Sequence, residues 1–388
     1  MRSIYFDYNA TTPLDPRVRE AMLPFLDEVW GNPSSIHHVG RKARALLDDA
    51  RDRAANVLGC KPGEVIFTSG GTESVNLALF GAARRLKSKG RHLITSSIEH
   101  PAVLHSCQYL SRNEGFEVTV LPVNPEGFVS PDSLKETLRP DTILVSIMAA
   151  NNEIGTIQPV AELGALCRER GVLFHTDAVQ WFGKEPFDGI HQFNADLVSI
   201  CGHKFHGPKG AGALFCRSPL HPEPLLFGGS HENERRAGTE NLAAIMGFVL
   251  ALELFVRQPV FSKPDLTPLS GRLIAAIDRI PGARFVGSRH QRLTNTVSLV
   301  VEGADSIALL AGLDLEGICA SSGSACSAGS LEPSHVISAL GLNDSLAGSL
   351  IRFSLGRKSS LDEVDYVSGV LRSVVGRSQQ VENRAQTL

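Results

Sequence analysis

Strand-length apolar runs alternate with helix-like stretches along this chain, and five of those runs end in side chains with chemistry to offer. Glu-Val-Ile-Phe-Thr (64 to 68) leads into Ser69-Gly70-Gly71-Thr72-Glu73 and an amphipathic stretch from Ser74 to about Lys87. His-Leu-Ile-Thr-Ser (92 to 96) leads to Glu99, His100 and Pro101, the proline placed to open a helix. Thr-Ile-Leu-Val-Ser-Ile-Met (142 to 148) ends at Asn151, Asn152 and Glu153, a fourth run ends at Asp177, and a fifth at Lys204. Alternation at this spacing predicts an α/β fold, a mainly parallel sheet with helices on both faces. Ligands in such folds bind beyond the carboxyl ends of the strands, where all five segments converge.

Lys204 narrows the chemistry. A lysine closing an apolar strand must desolvate its ammonium or give up its charge by bonding. An unprotonated amine condenses with an aldehyde such as that of pyridoxal phosphate, and Asp177 is suited to keep a pyridine nitrogen protonated. The turn Ser69 to Glu73 suits a phosphate: free amides at a helix start attract an anion, and Gly71 lets it approach. A tight capped turn would look the same. The turn is not a P-loop, and Gly210-Ala211-Gly212 is not a full dinucleotide fingerprint. His100 is a ring-stacking or proton-shuttling candidate, against the plainer reading of a helix-start histidine bonded to backbone. Of His203 and His206, one is placed to reach a phosphate while the other packs. Gln180 is a donor to a phenolate oxygen or a surface amide.

Composition excludes several classes. Net charge is −3, with no basic footprint for nucleic acid, no membrane-length apolar window and no signal peptide. The 388 residues suggest two domains, and the segment 256 to 270, with three prolines, reads as near their junction. Strands are expected around 294 to 301 and 350 to 355, then a helix from about Leu361 with Ser360 and Glu363 at capping-box spacing. The seven cysteines show no zinc spacing, so reduced cytoplasmic thiols are expected. Cys326 differs from the others. It lies within eleven consecutive small residues, 320 to 330, which read as a mobile loop presenting a nucleophile.

Several motifs together carry a resemblance. They are Asp-Tyr-Asn-Ala-Thr-Thr-Pro (7 to 13), Thr-Ser-Gly-Gly-Thr-Glu-Ser (68 to 74), Glu-His (99 to 100) and Asn-Asn-Glu-Ile-Gly (151 to 155). Asp-Ala-Val-Gln (177 to 180), Gly-His-Lys (202 to 204), Arg-Ala-Gly-Thr-Glu-Asn (236 to 241), Ser-Ser-Gly-Ser-Ala-Cys (321 to 326) and Ile-Arg-Phe-Ser (351 to 354) complete the set. In this order the chain resembles cysteine desulfurases of the NifS/IscS type, class V aminotransferase-like pyridoxal phosphate enzymes of fold-type I. The resemblance covers about residues 4 to 375. It implies a seven-stranded sheet in a large domain, 16 to 258, and a small α+β domain, 259 to 376, that carries the Cys326 loop. Residues 1 to 15 would pack with the small domain, and 377 to 388 are expected to fray.

The resemblance also implies roles. Lys204 would hold the cofactor and abstract the substrate α proton. Asp177 would pair with the ring nitrogen, Gln180 with the phenolic oxygen, and His100 would stack on the ring. Gly71, Thr72 and His203 would hold the phosphate, with Thr239 reaching it from the other subunit of a homodimer. Asn152 would lie beside cofactor and substrate, and Arg352 would clamp the carboxylate of L-cysteine. Cys326 would take the sulfur as a persulfide, release L-alanine and deliver the sulfur to an iron-sulfur scaffold or another acceptor protein. No intrinsic metal is implied; the Cys326 persulfide would meet an iron-sulfur cluster only in passing. Cys201 departs from the family, which usually has a serine there bonding the phosphate. Alternatives are a selenocysteine lyase, another class V enzyme, or a sulfur-relay protein active only with an accessory partner.

Overall fold

The computed structural model describes residues 3–323 and 333–385. Its strands, in chain order, are β1 (Ile4–Tyr5), β2 (Val65–Thr68), β3 (His92–Ser96), β4 (Glu117–Leu121), β5 (Thr142–Ser146) and β6 (Leu173–Asp177). They continue with β7 (Leu197–Cys201), β8 (Gly212–Cys216), β9 (Ala283–Val286), β10 (Thr296–Val301), β11 (Ile318–Cys319) and β12 (Ile351–Ser354). Seven form one sheet in the order β2-β8-β7-β6-β5-β3-β4. All run parallel except β8, which lies antiparallel between β2 and β7. The central strands are buried on both faces, which is why they read as continuous apolar runs rather than alternating ones. Edge strand β4 exposes Glu117 and Val120.

The period-2 geometry of a strand decides which layer each residue joins. Val198 and Ile200 of β7 face the layer built with His38–Leu58 and Leu242–Phe255. Leu197 faces the opposite layer, with Gly71–Leu86 and Pro101–Glu114. A second core forms around the antiparallel sheet β12-β10-β9, packed by the helices Lys263–Ile277, Ser306–Leu315 and Leu361–Ala385. Ile4, Phe6 and Tyr8 join this second core, and β1 pairs in parallel with β11.

Two segments differ from expectation. The proline-rich stretch is half helix: Lys263–Ile277 begins inside it, with Pro264 in the first turn and Pro268 within. A first-turn proline loses no helical bond, and Leu266, Leu269 and Leu273 bury the apolar face that holds the rest. The last helix also runs past Arg377 to Ala385. Val374 and Val375 are buried beneath it, Arg377 pairs with Glu316 at 3.0 Å and Gln379 donates to the Glu302 carbonyl at 2.9 Å. The capping box at its start forms in both directions, Ser360 N to Glu363 Oε2 at 3.0 Å and Glu363 N to Ser360 Oγ at 3.3 Å. No helix among the described residues is long and apolar enough to cross a membrane.

Candidate active site

The carboxyl ends of the parallel strands open onto a cavity of about 180 Å³. Gly71, Thr72, His100, Asn152, Asp177, Gln180, Cys201, His203, Lys204 and Arg352 all line it. A larger hollow of about 650 Å³, lined by His105, Arg112 and His335, lacks both Lys204 and Asp177. Chemistry rather than size marks the site.

Asp177 closes β6, and burial raises its pKa to about 6 against the pull of the Val179 amide and Lys204. Its Oδ1 accepts from Val179 N at 2.9 Å, the one hydrogen bond its carboxylate makes among the described residues. A buried carboxylate with capacity to spare calls for a cationic N–H partner. Lys204 follows β7 in the single turn Gly202–Lys204 and donates to the carbonyls of Asn9 at 2.7 Å and Ala10 at 2.9 Å.

Elsewhere along the cavity wall, Gly70 and Gly71 start the helix Gly71–Leu86. A Cβ on Gly71 would stand 2.8 Å from Val179 Cγ2, so glycine alone fits here. The amides of Gly71 and His203 favour the thiolate of Cys201, and burial outweighs them to raise its pKa. Converging amides at a helix start, beside Thr72 and His203, fit a phosphate. A pyridinium partner and a phosphate cup lining one cavity fit pyridoxal phosphate.

His100 takes the helix-start role weighed from sequence and also borders the cavity. It caps Pro101–Glu114, Nδ1 accepting from Ala102 N at 3.1 Å. Burial, then Lys204, push its pKa down to about 4, so at neutral pH the ring is uncharged. His206 packs instead: its Nδ1 donates to the Pro13 carbonyl at 2.7 Å and its ring stacks on Phe261. Arg352, 1% exposed, donates to Asp7 Oδ1 at 2.8 Å and to the Asn152 carbonyl at 2.9 Å, while its Nε has no partner among the described residues.

Thr239 is exposed and does not line this chain's cavity. Cys326 lies outside the described residues. Sequence reasoning assigned no task to Asn9, yet it joins the two cores. Its carbonyl accepts from Lys204 and Gln180, its Nδ2 donates to Thr296 Oγ1 at 2.8 Å, and its amide donates to Ser354 Oγ at 2.9 Å. The only signal for it was its place in the motif 7 to 13.

The chain belongs to the aminotransferase class-V family, whose profile matches residues 4–367. It is 48% identical over 381 residues to cysteine desulfurase IscS of Dictyoglomus turgidum, covering 98% of this chain and 96% of the relative. Among solved structures, a NifS-like protein superposes with TM-score 0.89 at 36% identity, over 97% of this chain and all of that one. SspA in complex with cysteine superposes with TM-score 0.80 at 36% identity, over 92% of this chain and 100% of that one. The fold is therefore the fold-type I expected from the motifs.

Proposed function

We propose that this chain is a cysteine desulfurase that uses pyridoxal phosphate to move sulfur from L-cysteine to Cys326. The observation that carries the reading is the single cavity holding Lys204, Asp177 and Arg352, in a chain 48% identical to an IscS protein over nearly its full length. When bound, the cofactor supplies an electron sink for the substrate's α carbon. Lys204 holds it and carries the α proton. Asp177 would keep a proton on the ring nitrogen, and the neutral His100 ring would pack against the cofactor and pass protons. Gln180 faces the ring oxygen. Gly71, Thr72, Cys201 and His203 hold the phosphate.

Arg352 and Asn152 receive the carboxylate of L-cysteine. The Cys326 thiolate attacks the substrate sulfur; the S–S bond forms as the carbon–sulfur bond breaks, and protonation at carbon yields L-alanine. The persulfide sulfur then passes to an iron-sulfur scaffold or another acceptor protein. A second copy of the chain completes each site with Thr239. Leu26, Trp30, Ile36 and Phe227 are 66%, 72%, 90% and 84% exposed, an apolar surface suited to that copy. Ser34 Oγ lies 3.3 Å from His231 Nε2, joining the two segments that bear it. A cytoplasmic location fits the free thiols of Cys60, Cys107, Cys167, Cys201, Cys216 and Cys319.

The test is incubation of the protein with L-cysteine and a reductant, quantifying L-alanine and sulfide together. Equal amounts over many turnovers are expected; sulfide with pyruvate would mean β-elimination and remove Cys326 from its role.

A further inference from the structure

Behind the cavity wall stands a buried cation that the reaction does not use. Lys184 is 3% exposed and does not line the cavity. Its Nζ donates to Asn9 Oδ1 at 2.7 Å and, in a closer contact, to Gln180 Oε1, and it lies 5.4 Å from the Phe261 ring centre. The charged groups bearing on it are Lys204, Arg352 and Glu185, and Glu185 is itself paired with Lys263 at 2.6 Å. Burial, then repulsion from Lys204 and Arg352, push its pKa well below the ordinary lysine value. Charged or neutral, the amine keeps at least two hydrogens, one for each oxygen.

A glutamine amide presents either its oxygen or its nitrogen to a cavity, and the surrounding network decides which. Here Gln180 Nε2 donates to the Asn9 carbonyl at 3.0 Å while Lys184 claims Oε1. Turning the amide over would set oxygen against the Asn9 carbonyl and take from Lys184 the oxygen to which it donates; a protonated amine could not accept from the NH2 in its place. The remaining Nε2 hydrogen is then the one the cavity sees. Lys184 fixes Asn9 in the same way. Asn9 Oδ1 accepts from Lys184 and, at 3.0 Å, from Asn295 Nδ2, while the Asn9 carbonyl holds Lys204.

We propose that Lys184 is a positioning residue: by holding Gln180 Oε1 it ensures that an N–H, never a carbonyl, faces the ring oxygen of the cofactor. This role rests on the reading above, in which pyridoxal phosphate fills the cavity. An N–H on the ring oxygen competes with the bond between that oxygen and the protonated nitrogen of Lys204 joined to the cofactor. It thereby lowers the pH at which the bound cofactor's visible absorbance titrates.

The experiment uses apo-protein reconstituted with pyridoxal phosphate, comparing wild type, K184M, Q180A and the double variant. Two readouts are taken, the pH midpoint of the visible absorbance and the cofactor dissociation constant. K184M should raise the midpoint by about one pH unit and weaken binding about tenfold, the size of one hydrogen bond to a charged group. Q180A should act in the same direction, and adding K184M to it should change either readout by less than about twofold, because Lys184 works through Gln180. Wild-type values in a folded K184M would overturn the proposal. So would a full K184M shift in the Q180A background, which would mean a direct charge effect. If K184M does not fold, K184Q, which keeps an N–H for Gln180 Oε1, decides: values within about threefold of wild type support the role, and a tenfold loss overturns it. A wild-type protein that develops no visible band sinks the cofactor reading itself, and this role with it.

Discussion

Replacing Cys201 by serine should tighten cofactor binding. The amides of Gly71 and His203 act on the buried Cys201 thiol, and its sulfur stands 3.7 Å from where a Cβ on Gly70 would lie. In the function proposed above it forms the floor of the phosphate cup. Burial raises the thiol's pKa, so it enters the cup neutral and offers only the weak donor of an S–H. A serine hydroxyl accepts the same two amides and donates to a phosphate oxygen. A hydrogen bond to a charged group is worth about 1.5–3 kcal/mol, and the thiol already supplies part of that. The expected gain is about 1–2 kcal/mol, or a dissociation constant lower by about five- to thirtyfold. Titration of apo-protein with pyridoxal phosphate, followed by visible absorbance, measures it directly. C201S binding the cofactor with unchanged or lower affinity would refute the placement of the phosphate over this thiol.

Cys326→Ala should keep the visible band and the spectral response to L-cysteine while alanine and sulfide formation fall to background; an unchanged rate would sink the persulfide step. Arg352→Lys should raise KM for L-cysteine by about ten- to a hundredfold, the loss of one charge-assisted hydrogen bond, with kcat nearly unchanged, as steady-state kinetics will report. The melting temperature of the apo-protein should fall on the acid side of about pH 6.5. Burial depresses His100, His203 and His206 to about 4 and His175 to about 3, from the ordinary 6.5, so the unfolded chain takes up those protons first. Stability is therefore lost as the pH falls below about 6.5. Burial acts oppositely on Glu99, raising it from 4.5 to about 8, and on Asp177, raising it from 3.8 to about 6. The folded state holds the Glu99 proton longer, so its contribution to stability falls as the pH rises to about 8, while the depressed Lys184 acts the other way, and E99Q should remove the Glu99 part alone. Wild-type and E99Q melting temperatures that change in parallel from pH 6.5 to 8 would contradict the raised Glu99.

Much of the site was legible because parallel strands bring their ends together, and a chemical side chain after an apolar run declares its own position. Lys204, Asp177, His100 and Asn152 were found that way. The supporting groups were not. Lys184 follows Asp177 by seven residues in a turn, where a lysine ordinarily faces water; only the fold shows it 3% exposed beneath Gln180. Arg352 was read as a substrate clamp, but its partner Asp7 lies at the other end of the chain, a pairing that no local pattern encodes. Prolines misled for a related reason. In Lys263–Ile277 tertiary burial of three leucines outweighs a local helix-breaking signal, and in the last helix buried Val374 and Val375 carry a polar tail into order.

The tie between Asn9 and Ser354, and that between Asp7 and Arg352, each join residues 345 positions apart. During synthesis, the segment that seats Lys204 emerges first and then waits for its counterpart until almost the whole chain has left the ribosome. A partly made chain can fold its central sheet around neighbouring strands, yet it cannot finish the wall that holds the reactive lysine. That wall is thus completed only when β12 docks against the N-terminal segment.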